Sequence, residues 1–188
     1  FNIPRNSLYS NIYMHYNTSS LKECKSAVHT LHQMPVPLHR PAQLSIHIDS
    51  AYESIMNEQL GVLKVSDNGQ RSWVGGTYRD GWIDTEISEL GSYAIGYDTK
   101  PPVITPIEPG RWRERKQIKF SITDDLSGIS VYRGEIDGRY ALFEFDGKKS
   151  LLTYDFDNER VHPGYHRLTL YVTDRCGNKS VYEHALTW

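Results

Sequence analysis

Wherever the chain is periodic, apolar and polar residues alternate with a period of two. Over residues 117–123, Ile118, Phe120 and Ile122 alternate with Lys119, Ser121 and Thr123. Over 167–173, Leu168, Leu170 and Val172 alternate with Thr169, Tyr171 and Thr173, and over 43–49 Leu44, Ile46 and Ile48 alternate with Ser45 and His47. This is the pattern of strands with one face on a core and one in water. No stretch sustains apolar residues at i, i+3, i+4 and i+7, so the best helical candidates, 19–28 and 50–59, are expected to be loop or a turn or two of helix. Tight-turn dipeptides punctuate the runs: Asn68-Gly69, Asp80-Gly81, Asp137-Gly138 and Asp146-Gly147, with Gly177-Asn178 and His162-Pro163-Gly164 doing similar work. Strands are expected near 8–16, 43–49, 61–66, 70–77, 82–88 and 92–97 in the first half, with 17–42 unassigned. In the second half they are expected near 103–107, 116–123, 129–136, 139–145, 150–156, 165–174 and 179–187.

Tyr97-Asp98-Thr99-Lys100-Pro101-Pro102 marks a boundary, because a double proline fits neither a helix nor a central strand. The expected organisation is all-β, two consecutive β-sandwich domains: 1–98, and 103–188 with the strand count of an immunoglobulin-like sandwich. There is no clean internal repeat.

Composition narrows the function classes. Among 188 residues the hydrophobic share is 38% and the aromatic share 12%, enough for aromatic-rich β cores. Mean hydropathy is −0.56, and no run approaches the ~18 apolar residues of a transmembrane helix, so the chain is expected not to span a membrane. The formal net charge is −2. The densest basic run, Arg111, Arg113, Arg115, Lys116 and Lys119, is interrupted by Glu114 and leads into a strand. It reads as a solvated strand entrance, and no nucleic-acid partner is expected. Two cysteines do not make a disulfide framework. Cys24 and Cys176 fall in different expected domains, Cys24 as a candidate exposed thiol and Cys176 in a closing turn. The opening Phe1-Asn2-Ile3-Pro4, without initiator Met or leader, suggests a processed chain or an excised fragment.

Five motifs in order resemble bacterial immunoglobulin-like repeats. They are Asp98-Thr99-Lys100-Pro101-Pro102-Val103-Ile104, Thr123-Asp124-Asp125-Leu126-Ser127-Gly128-Ile129, Asp137-Gly138, Gly164-Tyr165-His166-Arg167-Leu168-Thr169-Leu170, and Val172-Thr173-Asp174-Arg175-Cys176-Gly177-Asn178. A narrower resemblance covers the whole chain. Val36-Pro37-Leu38-His39, Trp73-Val74-Gly75-Gly76-Thr77-Tyr78, Asp80-Gly81-Trp82-Ile83, Leu90-Gly91-Ser92-Tyr93 and the Pro-Pro linker look like the C-terminal region of lysostaphin-type zinc metallopeptidases of Gram-negative envelopes. That resemblance implies two β-rich domains following a peptidase domain, in a periplasmic, cell-envelope or secreted setting. The implied partner is the N-terminal peptidase domain or another envelope protein.

The chemistry of such a peptidase is missing. It needs a His followed four residues later by Asp, and an H-x-H pair, to hold Zn²⁺ with one open position. None of the eight histidines has Asp four residues on, and no two lie two apart. No catalytic residue is assigned, and no metal or cofactor is expected. His29, His32 and His39 read as loop histidines beside Pro35, Pro37 and Pro41. His162 and His166 flank a Pro-Gly turn, and Asp124, Asp125 and Ser127 form an Asp-capped turn. No G-x-S-x-G, Walker A or G-x-G-x-x-G motif occurs. The remaining candidate surface is aromatic: Trp73, Tyr78 and Trp82, with Tyr93, interleave with Gly75, Gly76 and Gly81. The first three are candidate ligand-binding residues that could stack on sugar rings; the competing and favoured reading is that the rings fill the core. The expectation is therefore a non-catalytic structural or interaction module of an envelope protein, accessory to a murein-type metallopeptidase. The alternative is a carbohydrate- or peptidoglycan-binding module with a glycan partner.

Overall fold

The computed structural model describes residues 1–49, 57–156 and 161–188. It divides into two compact units, Phe1–Asp98 and Thr99–Trp188.

Among its described residues the first unit has eight strands: β1 (Asn17–Ser19), β2 (Val28–Thr30), β3 (Val36–His47), β4 (Leu60–Val65), β5 (Arg71–Gly75), β6 (Thr77–Arg79), β7 (Trp82–Leu90) and β8 (Ser92–Tyr97). All pairs are antiparallel, in a five-stranded sheet ordered β1-β2-β8-β4-β5 and a three-stranded sheet ordered β3-β7-β6. The alternation in the sequence becomes the packing. Leu44 and Ile46 of β3, with Ile83 and Ile87 of β7, meet Leu60, Val62, Tyr93 and Ile95 of the other sheet in one buried cluster. Each such aliphatic side chain contributes about 1.5–3 kcal/mol when removed from water. β8 is covered on both sides, because Ala94 packs with Cys24 and Val28 in a second small cluster. The chain leaves one sheet for the other at Gly75-Gly76, both at positive φ (93° and 141°). A Cβ on Gly76 would lie 2.6 Å from Ile83 Cγ2, so the corner needs glycine for sterics as well as backbone.

Residues 8–16, expected as a strand, are not one. Leu8 and Ile12 pack against the core with a spacing of four, while Tyr9, Tyr13 and Tyr16 stand 72%, 93% and 59% exposed. The earlier residues run beside β3, through the Asn2↔Gln43 bridge and a bond from His39 N to Ser7 O. The unassigned region 17–42 holds β1, β2 and the first half of β3. There Pro37 and Pro41 spoil the alternation, and the β3–β7 register shifts between Pro37 and Ala42. β3 tolerates both prolines because it is an edge strand. No helix forms over 19–28. Of 50–59, residues 50–56 lie outside the described residues, and Asn57–Gln59 is a 3-10 turn.

The second unit contains β9 (Val103–Pro106), a one-turn helix α1 (Trp112–Arg115), β10 (Gln117–Thr123), β11 (Ile129–Ile136), β12 (Arg139–Ala141), β13 (Glu144–Asp146), β14 (Leu151–Asp155), β15 (Tyr165–Asp174) and β16 (Lys179–Thr187). The sheets are ordered β13-β14-β10-β9 and β12-β11-β15-β16. This is an immunoglobulin-like arrangement, with the first, second, fifth and sixth strands in one sheet and the rest in the other. Its core joins Ile118, Phe120 and Ile122 to Leu152, Leu168, Leu170 and Val172. The expected strand 139–145 is two strands in different sheets. The chain crosses at Leu142-Phe143, burying Phe143 to 2%, its ring where a side chain on Gly134 would otherwise lie. The basic run occupies α1 and the entrance to β10, and Glu108 pairs with both Arg111 and Arg115.

Candidate functional site

The type I′ turn at Asp80-Gly81, with φ of 48° and 84°, joins β6 to β7. It sets a cross-strand row in which His47 pairs with Trp82 and Trp82 with Arg79; the next row is Ser45, Asp84 and Thr77. Alternate residues of a strand point to opposite faces. With Ile46 and Ile83 inward, these rows form the solvent face of the three-stranded sheet. Trp82 is 44% exposed there, its ring edge-on to His47 with centroids 4.9 Å apart. Arg79 Nε lies 3.8 Å from Asp84 Oδ2, and Gln43 Nε2 donates to Glu86 Oε1 at 2.7 Å. The result is a polar surface with one indole standing in it.

The other aromatic candidates do not join this surface. Tyr78 pairs with Ile83 and so belongs to the inner side of the same sheet, at its edge, 37% exposed. Trp73 lies on β5 in the other sheet, half-buried, with its indole laid over Gly61, where a Cβ would overlap the ring. Tyr93 is core, and its hydroxyl donates to Glu89 O at 2.8 Å. Burial, with the nearby Glu89 charge, pushes its phenol up to about 12.

The acids that stand out in the sequence are engaged by backbone. Asp124 Oδ2 accepts from Leu126 N and Gly128 N, Asp146 Oδ1 from Lys148 N and Lys149 N, and Asp174 Oδ1 from Cys176 N and Asn178 N. Within the second unit, Asp124 and Asp174 bring carboxylate oxygens within 4.8 Å of each other. Asp124 Oδ1 is buried without a hydrogen-bond partner.

His166 is the most constrained histidine. Its Nδ1 is 2.6 Å from Asp137 Oδ2 and its Nε2 is 2.7 Å from His162 O. Both neighbours are acceptors, so both bonds form only when both ring nitrogens carry hydrogen, that is, in the imidazolium. The Asp137 bond accordingly holds His166 above the ordinary histidine range. Hydrogen bonds from Arg167 N and from His166 hold the Asp137 carboxyl below its own. A histidine engaged this way is a brace between a turn and a loop, with no lone pair left for base catalysis. Sequence reasoning missed the pair, since the partners are 29 residues apart and the Asp137-Gly138 dipeptide announces only a turn.

The remaining histidines disperse. His29 Nδ1 bonds Tyr16 OH at 2.7 Å, His32 stacks on His15, and His39 lies edge-on to Tyr9. Cys24 is buried, which raises its thiol pKa, and no disulfide joins it to Cys176. A family model described as a Zu5-like domain matches residues 1–98. No curated protein matches the chain.

Proposed function

The chain belongs to the Zu5-like domain family through residues 1–98, and from that premise we propose that it is a non-catalytic interaction module of a cell-envelope protein, accessory to a murein-type metallopeptidase domain. The observation that carries this reading is the solvent face of β3-β7-β6. It presents Trp82 to solvent on a regular sheet, whereas Asp124, Asp146 and Asp174 accept from turn backbones and Asp137 from Arg167 N and His166. Rigid aromatic side chains on regular elements make good contact residues, because little entropy is lost when they are covered. The ordered immunoglobulin-like motifs and the envelope-peptidase resemblance support the context. The test is to assay the purified chain, with and without added Zn²⁺, on peptidoglycan peptides. No turnover is expected, and zinc-dependent hydrolysis would overturn the proposal.

A second reading, glycan binding at the same face, is favoured by the polar side chains that share the face with the indole: Arg79, Asp84 and Gln43. Retention of the chain on purified peptidoglycan, lost in a folded Trp82→Ala variant and kept in Trp73→Ala, is the expected result. Equal retention by the Trp82→Ala variant would remove this reading.

A further inference from the structure

An edge strand offers a row of unpaired backbone groups, which proteins usually blunt with short length, proline, a bulge or a cover. In the second unit the edge strands β9, β12 and β13 are only four, three and three residues long. β16 is the exception. It runs for nine residues without proline or bulge and, among the described residues, pairs on one side only, with β15.

The β15–β16 register fixes what β16 presents on its other side. Gly164 and Trp188 exchange both backbone hydrogen bonds, and Asp174 N donates to Asn178 O at 3.1 Å. In an antiparallel ladder such bonded pairs alternate with non-bonded ones. The even-numbered residues of β16 therefore bond β15, and Lys179, Val181, Glu183, Ala185 and Thr187 aim N–H and C=O at the open edge. Their side chains share the solvent face, because Tyr182 and Leu186 pack on the core and His184 lies edge-on to Trp112. That face carries exposed apolar side chains. Val181, 56% exposed, is paired with Tyr171, 41% exposed, and Val131 of β11, 58% exposed, is diagonal to Tyr171.

Charge selects the occupant. A second β16, laid antiparallel about a two-fold axis at Val181, places Val181 opposite its own copy. The same register sets Lys179 opposite Glu183 of the second copy, and Glu183 opposite its Lys179. All three positions are hydrogen-bonded pairs, and opposite charges facing each other across a ladder attract. Moving the axis to Tyr182 sets Val181 against Glu183, and moving it to Glu183 sets two carboxylates face to face. Glu183 Oε1 already accepts from Arg167 Nη2 at 2.8 Å, but that pair is exposed and a carboxylate can accept at both oxygens.

We propose that the open edge of β16 is an isologous interface, at which two copies of this chain join antiparallel through Lys179, Val181 and Glu183. Tyr171 and Val181 of each copy then form one apolar strip across the axis. The interface lies wholly on the second unit and does not depend on the Trp82 reading.

The test is sedimentation of the full chain from about 10 μM to about 1 mM, with amide hydrogen exchange followed by NMR. A monomer–dimer equilibrium is expected. The amides of Lys179, Val181 and Glu183 should exchange more slowly as the dimer fills, while that of Tyr182, already bonded to β15, changes little. Val181→Pro removes an N–H that points at the open edge and should abolish the dimer while keeping the native NMR dispersion. Lys179→Glu and Glu183→Lys each set like charges opposite one another, and each should weaken self-association by about tenfold or more. Mixed in equal amounts, these two variants should form a heterodimer, because every facing pair is then of opposite sign; this arm does not depend on how the proline variant folds. A monomer at every concentration, a dimer unchanged in both charge variants, or a mixture that associates no better than its components would overturn the proposal. A dimer abolished by Trp82→Ala but kept by Val181→Pro would also overturn it, while leaving the Trp82 reading standing.

Discussion

At the scale of single residues, position in the fold separates side chains that look alike in the sequence. Trp82 is 44% exposed and its ring meets His47 edge-on, so its replacement by Ala should cost less than about 1 kcal/mol of stability. Asp174 is different. Removing its carboxylate leaves the N–H of buried Cys176 and that of Asn178 without their acceptor. Asp174→Ala should therefore lose about 2–4 kcal/mol, read from a denaturant midpoint. Tyr93 gives a pH signature. Its folded pKa of about 12 lies above the unfolded value of about 10. The stability linked to it is complete below pH ~10 and is lost as pH rises toward 12. Ultraviolet titration should show a late step, to which Tyr182, also raised by burial, contributes, and Tyr93→Phe should reduce its amplitude.

At the scale of elements, the cross-strand brace formed by Asp137 and His166 fixes the β11–β12 turn to the start of β15. His166 is raised, so its contribution is present below its unfolded pKa of about 6.5 and is lost as pH rises through the folded value. Asp137 is lowered, so its contribution is present above its unfolded pKa of about 3.9 and is lost as pH falls through the folded value. The brace is therefore complete between about pH 4 and 6.5. Asp137→Asn keeps a residue suited to the left-handed turn position (φ 53°) but removes the counter-charge. Histidine NMR should then show the His166 pKa falling toward the ordinary range; an unchanged value would contradict the pairing. A comparable constraint holds β11 at Gly134, where added bulk strikes the Phe143 ring, and Gly134→Ala should cost about 1–3 kcal/mol.

At the scale of the whole molecule, each unit has its own buried cluster. Leu152→Ala should destabilise the second unit by about 2–5 kcal/mol, and a fragment spanning 99–188 should fold alone, with the amide dispersion of a β-sandwich. Where alternation was strong, as in β10, β15 and the latter half of β3, the elements were legible, because inward and outward environments impose a period of two on the residues themselves. Asp80-Gly81 and Asp137-Gly138 were equally legible, since few other residues accept two successive positive φ angles; Asp146-Gly147 turns without them. Legibility failed where the reason lay elsewhere in the chain. The Tyr-rich segment 8–16 reads as a strand until the core is seen to take only Leu8 and Ile12. Residues 139–145 read as one strand until Phe143 is seen entering the core between sheets. Candidate chemistry followed the same division. Residue types alone determined that no zinc-peptidase ligand set occurs and that the aromatic residues of 73–82 were worth weighing. Only tertiary structure decided that Trp82 faces water while Trp73 lies on Gly61, that His166 is clamped between two acceptors, and that Phe143 enters the core where the chain changes sheets, because contacts between distant strands depend on register and sheet crossing, which no local pattern encodes.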